Sequence, residues 1–321
     1  MIAVVIPCHR VKDQILDVLA SIGPECKAIY VVDDACPEQT GDHVEREAQD
    51  PRIRVIRNAV NLGVGGATLA GYEAALQDGA SILVKCDGDG QMDPARIPHI
   101  VAPIASGEAD YAKGNRFFDL AGLHAMPTFR LIGNSFLSFL TKLSSGYWNI
   151  FDPTNGFTAI HGAVARALPF DKISRGFFFE SDMLFRLGTL RAVVCDVPMP
   201  ARYGEETSNL RIGRIAGLFA WKHAVNTAKR IFYSYYLRNF NIASIEIVLG
   251  ILLMAFGAWF GGTHWLAGIR EGVAQTSGTV MVAALPVIVG FQLVLAALNY
   301  DLQNIPRDVV HKRLGPVYDE P

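Results

Sequence analysis

The chain has 321 residues, with 29 lysines and arginines against 31 aspartates and glutamates and a formal net charge of −2, a balance that does not suit a whole-chain nucleic-acid binder. Half of its residues are hydrophobic and the mean hydropathy is +0.24, high for a water-soluble protein of this length, so some segment is expected in lipid. Its five cysteines (Cys8, Cys26, Cys36, Cys86, Cys195) are odd in number and form no C-x-x-C pair, which reads as reduced thiols in or near strands. The N-terminus runs directly into Met1-Ile2-Ala3-Val4-Val5-Ile6-Pro7. It lacks the basic region and long apolar run of a signal peptide, so the first part of the chain is expected in the cytosol.

Residues 3–6 are apolar and partly β-branched and end at Pro7, the pattern of a buried parallel strand. Residues 11–22 place apolar side chains at helical spacing and stop at Gly23-Pro24. A second strand is expected over 28–32, ending in Asp33-Asp34. A polar helix is expected over 43–49 and a third strand over 53–56. The helix over 66–77 is entered through Asn61-Leu62-Gly63-Val64-Gly65-Gly66, and a fourth strand over 81–86 ends in Asp87-Gly88-Asp89. Alternating strands and helices predict an α/β domain with a mostly parallel sheet covered on both faces. Ligands of such sheets sit beyond the carboxyl ends of the strands, where Asp33, Asp34, Asp87 and Asp89 fall. There is no internal repeat and no low-complexity tract.

Residues 212–239 mix Leu218, Phe219, Trp221, Ile231, Phe232, Tyr233, Tyr235, Tyr236 and Leu237 with lysines and arginines. That composition predicts one or two helices in a membrane interface. Residues 243–262 contain one ionisable side chain, Glu246, and residues 278–298 contain none. Each run is about 20 residues, enough to cross roughly 30 Å of hydrocarbon, and together they predict a transmembrane hairpin. Arg211, Arg214, Lys222, Lys229, Arg230 and Arg238 precede it, Arg307, Lys312 and Arg313 follow it, and only Arg270 lies between, beside Glu271. Both ends should therefore face the cytoplasm. Glu246 reads equally as an interface residue or as a partner for another helix. The expected organisation is a catalytic domain over 1–210, juxtamembrane helices over 211–240, two membrane helices within 241–300 and a cytoplasmic tail over 301–321, in an inner or plasma membrane.

The strongest chemical signal is Lys85-Cys86-Asp87-Gly88-Asp89-Gly90-Gln91-Met92-Asp93-Pro94. Asp89 and Gln91, two apart in an extended turn, can face one hard cation, Mg²⁺ or Mn²⁺. Asp87 can join them or hold a ribose. The run is no EF-hand, because Pro98 stands where the twelfth-position glutamate belongs. Asp33-Asp34 reads either as turn capping or as contact with the base or ribose of a nucleotide. The loop Asn61 to Gly66 reads either as a plain tight turn or as a phosphate-approaching loop at a helix N-terminus. His99, His124, His161 and His223 show no metal spacing and read as structural.

Taken in order, the apolar strand to Pro7, Val32-Asp33-Asp34, the glycine-rich loop, Asp87-Gly88-Asp89-Gly90-Gln91 and Glu180-Ser181-Asp182 resemble the family-two glycosyltransferases with a GT-A (Rossmann-like) fold. With the basic segment and terminal hairpin, the chain is similar to polyprenyl-phosphate glycosyltransferases, including dolichyl-phosphate mannose synthases and bacterial polyprenyl-phosphate glucosyltransferases. The resemblance covers residues 2–209 by motif and the remainder by architecture. It implies inverting transfer of a hexose from a GDP- or UDP-sugar to polyprenyl phosphate. By the same resemblance, Asp87, Asp89 and Gln91 form the metal run. Pro7, Asp33, Asp34, Gly65, Asp87 and Asp152 serve the nucleotide-sugar, Asp152 lying in Asp152-Pro153-Thr154-Asn155-Gly156-Phe157. Arg116, Arg130 and Arg202 serve phosphates or the acceptor, and Asp89, Glu180, Asp182 and Arg116 are the catalytic set. The sequence departs from the family at Arg10-Val11, where many relatives carry Asn-Glu. It departs again at Arg202-Tyr203-Gly204-Glu205-Glu206-Thr207-Ser208-Asn209, where many relatives carry R-x-x-G-x-S-K: the spacing differs by one residue and Asn209 stands in place of the lysine.

A phosphate acceptor is already an anion, whereas a hydroxyl acceptor needs a general base. Glu180 and Asp182 are thus expected to orient groups if the acceptor is a phosphate. If it is a hydroxyl of a lipid-linked glycan, one of them should take a proton. A structural cluster with Arg175 or Arg186 is the plain alternative for the pair, and a solvated face for Arg130 and Arg202. A non-catalytic membrane partner of a glycan transporter or assembly complex is the reading from another class, disfavoured by the intact metal run. Association of copies through the hairpin is expected, although its G-x-x-x-G spacing, Gly257 to Gly261, falls at the end of the span.

Overall fold

A computed structural model describes residues 1–118, 128–200 and 212–318, with side chains throughout these except at 128–132, 212–216 and 315–318. Strands β1 (Ile2–Cys8), β2 (Cys26–Asp33), β3 (Ile53–Arg57) and β4 (Ile82–Lys85) form the parallel half of the sheet expected from their apolar runs. Three further strands, β5 (Tyr111–Asn115), β6 (Thr158–His161) and β7 (Val194–Pro198), complete a seven-stranded sheet in the order β3-β2-β1-β4-β6-β5-β7. β6 runs antiparallel to both β4 and β5, while β5 and β7 are parallel. The sheet is thus mostly parallel with one inserted antiparallel strand.

Both faces of the strands are buried, which is why their sequences read as apolar runs rather than alternating ones. On one face Val5, Tyr30, Leu83 and Ile160 pack with Tyr72, Phe179, Met183 and Leu184. On the other, Val4, Ile6, Ile29, Val31 and Val84 pack with Ile15, Val18, Leu19, Ile97 and Ile104. Each such side chain contributes about 1.5–3 kcal/mol of transfer free energy. The first helix is shorter than its periodicity suggests, Ile15–Ala20 rather than 11–22.

The chain divides into two compact units: Met1–Thr227 with residues from Pro306 onward, and Ala228–Ile305. The sequence read 301–321 as a tail, but residues from 306 onward belong to the first unit. Asp110, fully buried at the start of β5, accepts hydrogen bonds from Val193 N (2.7 Å), Val310 N (2.9 Å) and His311 N (2.9 Å), and lies 2.7 Å from His311 Nδ1. The His311 ring stacks on His161 at 4.3 Å, and Val310 and Leu314 pack against the core. Burial and the neighbouring His311 keep His161 below the ordinary histidine range. Replacing Asp110 by alanine strands several buried N–H donors, so it is expected to cost about 3 kcal/mol. Thermal melting of the solubilised protein, with limited proteolysis after Pro306, checks this. Unchanged melting and no new cleavage would contradict it.

In the second unit, helices Ile242–Glu271 and Ser277–Gln303 form an antiparallel pair, each long and apolar enough to cross a membrane. Their crossing uses Gly250 and Gly290. A Cβ on Gly250 would meet Gly290 O at 2.8 Å, and one on Gly290 would meet Gly250 O at 2.6 Å, the close approach that small residues permit. Gly257 is packed likewise against Ala283 O. The expected interfacial segment is one α-helix, Ile212–Phe232, continued by a wider π-type turn, Tyr233–Arg238. Within the second unit Arg230 pairs with Asp301 through two bonds of 2.7 and 3.0 Å, and the Tyr235 hydroxyl donates to the same carboxylate at 2.5 Å. The buried charges are thereby paired, as their burial demands.

Candidate active site

The acid-rich run begins where β4 ends. Asp87 lies two residues past the last residue of the strand, and the chain then turns through Gly90, whose φ of +74° is the left-handed region open to glycine. Across this turn Gln91 N donates to Asp89 Oδ1 at 3.0 Å, which fixes the Asp89 carboxylate. Gln91 is exposed, and Asp87 and Asp89 are partly exposed. Two carboxylates and an amide oxygen are hard donors suited to Mg²⁺ or Mn²⁺. Among the described residues no group of three or more His, Cys, Asp or Glu gathers. By donor chemistry the set suits a hard dication whose remaining coordination positions are open to other oxygens.

Two lysines that the sequence reading passed over lie beneath this turn. Lys85 on β4 and Lys113 on β5 are both in register with Thr158 on β6, so all three side chains share one face of the sheet. Both lysines are fully buried. Lys85 Nζ donates to Asp87 Oδ1 at 2.6 Å and to Gly156 O at 3.3 Å, and lies 3.4 Å from Glu180 Oε1. Lys113 Nζ donates to Asn155 O at 2.7 Å. Burial alone pulls the Lys85 ammonium down, but the Asp87 and Glu180 carboxylates outweigh it and hold Lys85 above the ordinary lysine range. At Lys113 burial wins over Asp152 and Glu180, and the group is pulled down to about 8. The available sequence signal was a lysine closing the otherwise apolar run of β4.

The segment from Asp152 to Phe157 enters β6 and is held along its length. Arg116 grips the fully buried Asp152 through Nε (2.7 Å) and Nη2 (3.0 Å), a two-pronged pair of the kind arginine favours. Burial raises the Asp152 carboxyl, but the Arg116 hydrogen bonds and Lys113 outweigh it and keep Asp152 below the usual aspartate range. Gly156 has no room for a side chain: a Cβ would stand 2.5 Å from Lys85 Nζ and 2.7 Å from Asp87 Oδ2.

Glu180 and Asp182 meet different partners. Both lie in the first turn of helix Phe179–Leu190, where residues two apart point in different directions. Glu180 faces Lys85. Asp182 accepts from Ser174 N and Asn226 Nδ2, both at 2.9 Å, and lies 3.9 Å from Arg186 Nε. Its carboxylate thus joins the segment before Glu180 to the helix Ile212–Phe232.

Asp33 and Asp34 each hold backbone. Asp33 accepts from Cys36 N and Gly41 N, both at 2.7 Å. Asp34 accepts from Leu62 N (2.9 Å), Gly63 N (2.8 Å) and Asn58 Nδ2 (2.7 Å), so it anchors the glycine-rich loop. Pro7 lies in register with Val32 beside them. The glycines of that loop make room for residues 174–176: a Cβ on Gly65 would meet Ser174 O at 2.6 Å, and Gly66 N donates to Arg175 O at 3.1 Å. Arg130 lies on helix Thr128–Ser145 with its side chain outside the description, and Arg202 lies outside the described residues.

The sequence model of the family described as Glycosyl transferase family 2 matches residues 3–168. Undecaprenyl-phosphate mannosyltransferase of Micrococcus luteus is 33% identical over 173 residues, 53% of this chain and 70% of that protein. Polyprenol monophosphomannose synthase of Mycolicibacterium smegmatis is 28% identical over 205 residues, 61% of this chain and 75% of that protein. Among solved structures, glucosyl-3-phosphoglycerate synthase from Mycobacterium tuberculosis, in complex with Mn²⁺, UDP and glucosyl-3-phosphoglycerate, is similar in fold. Its TM-score is 0.53 at 19% identity, covering 72% of this chain and 79% of that one.

Proposed function

The chain belongs to glycosyl transferase family 2, and on that premise we propose that it moves a hexose, with inversion, from a GDP- or UDP-sugar to polyprenyl phosphate at the cytoplasmic face of a membrane. The observation that carries this reading is the convergence, around Lys85, of the Asp87 end of the metal run, the segment from Asp152 to Phe157 and Glu180. A nucleotide-sugar laid across the carboxyl ends of β1 and β4 would place its diphosphate by Asp87, Asp89 and Gln91 and its sugar by Asp152 and Glu180. A dication held by Asp87, Asp89 and Gln91 would neutralise the charge that develops on the leaving diphosphate.

The acceptor assignment is supported by the names of the relatives and by the apolar hairpin. Glu180 supports it as well. Its carboxylate is committed to a buried ammonium, an arrangement that suits orienting a sugar hydroxyl. A phosphate acceptor brings its own negative charge and needs no proton removed. Arg116 presents a partly exposed guanidinium beside the same segment, and with Arg130 and Arg202 it is proposed to meet phosphate oxygens. Asp33, Asp34 and Gly65 are proposed to shape the nucleotide pocket, chiefly through the backbone they hold in place.

The test is purified protein in nanodiscs with polyprenyl phosphate, Mg²⁺ or Mn²⁺ and a panel of GDP- and UDP-sugars. One donor is expected to release its nucleoside diphosphate only when polyprenyl phosphate is present, with the activity lost to EDTA and restored by Mn²⁺. Release that instead requires a lipid-linked glycan bearing a free hydroxyl would overturn the acceptor, and activity in EDTA would overturn the metal.

A further inference from the structure

We propose that Lys85 is a positioning residue that sets the register between the donor side and the acceptor side of the reaction centre, by holding Asp87, Gly156 O and Glu180 on one ammonium. The inference rests on the transferase reading and adds a residue to it. Lys85 Nζ donates to two acceptors and stands 3.4 Å from Glu180 Oε1 in an ion pair, the three partners coming from three parts of the chain. Asp87 lies just past the end of β4, Gly156 lies in the segment entering β6, and Glu180 lies in the first turn of helix Phe179–Leu190. With its side chain 1% exposed, Lys85 is shut off from a substrate. It acts through Asp87 and Glu180.

A buried ammonium is costly to desolvate and is kept only where its partners compensate. Its neighbours on β4, Leu83 and Val84, are fully buried hydrophobic residues, so an apolar residue here would complete the strand without that cost. Gly156 reserves the space: its missing Cβ leaves room for Lys85 Nζ and Asp87 Oδ2, and Lys85 reaches the Gly156 carbonyl. Without Lys85, two carboxylates would face each other across an apolar floor and turn apart. Glu180 would lose its place opposite the metal run, and small displacements of this kind cost about 10²-fold in rate.

A double-mutant cycle on Lys85→Met and Glu180→Gln tests this, read as nucleoside diphosphate released with and without polyprenyl phosphate, alongside thermal melting. Lys85→Met is expected to lower kcat by about 100-fold with the donor KM changed by less than about 3-fold. The double variant should be no worse than the poorer single one, because both changes break the same unit. Gly156→Ala, which keeps every charge but crowds the junction, should reproduce the kcat loss, and it carries the test if Lys85→Met does not fold. Losses that multiply in the double variant, or a Lys85→Met or Gly156→Ala enzyme of parental kcat, would overturn the proposal. Failure of the acceptor assignment shows separately, as release by the parent enzyme that polyprenyl phosphate does not stimulate, and the cycle is then read on that release.

Discussion

Asp89→Ala is expected to lower sugar transfer by about 10³-fold or more, roughly 4 kcal/mol of transition-state stabilisation, with the fold intact. Asp89 is partly exposed just past the end of β4, and within the protein its carboxylate accepts Gln91 N. Its loss removes the hydrogen bond that holds this turn and, on the proposed reading, a metal ligand. Asp93, four residues on, supplies the internal comparison. Its carboxylate caps the following short helical turn through Ala95 N at 3.2 Å. Asp93→Ala should lose the modest stability of that cap, about 1 kcal/mol, and keep activity within a few-fold. Steady-state rates across a Mn²⁺ titration, with calorimetric binding of the nucleoside diphosphate in Mn²⁺, check both variants. An Asp89→Ala enzyme within tenfold of the parent would sink the metal-run assignment.

Arg116→Met should both destabilise the protein and remove its activity. Asp152 is fully buried, and its two oxygens are held by the Arg116 fork. Removing one partner of such a pair leaves an uncompensated buried charge, a cost of about 3–5 kcal/mol, or roughly 10 °C in melting temperature for a unit of this size. The sign of the pH dependence follows from Asp152, whose folded-state carboxyl lies below its ordinary value. The contribution is fully present above the ordinary aspartate range and is lost as pH falls through the lower folded value. In Arg116→Met that acid-side loss should shrink, because the interaction that depresses the group is gone. Arg116→Met/Asp152→Leu separates the two roles: it should recover much of the melting temperature and none of the transfer. Recovery of transfer would show that Arg116 serves only to satisfy Asp152, while parental melting of the single variant would show that the pair contributes nothing.

Much of the fold was legible in the chain because parallel strands are buried on both faces. Their apolar runs must end where the sheet ends, so acids such as Asp33, Asp34, Asp87 and Asp89 mark the carboxyl ends of β2 and β4. The helix Phe179–Leu190 was harder to read. Glu180-Ser181-Asp182 looks like one acidic cluster in a linear sequence. A helix turns about 100° per residue, so two residues apart means different directions, and Asp182 serves Ser174 and Asn226 instead. In the glycine-rich loop, Gly63 and Gly65 also have a packing reason to be small, because residues 174–176 pass over them.

The strand-and-helix alternation, the acid-rich turn after β4 and two long apolar helices can be read from the chain, since local hydrophobic pattern and turn chemistry are properties of neighbouring residues. What depends on distant segments meeting is settled only by the fold. The antiparallel β6, inserted between β4 and β5, sets Lys85 and Lys113 on either side of Thr158. Asp110 binds Val310 and His311 from 200 and 201 residues away. A lysine's charge is visible in any sequence. Whether it lies in water or is buried between two carboxylates is fixed by which strands become neighbours, and no local pattern records that.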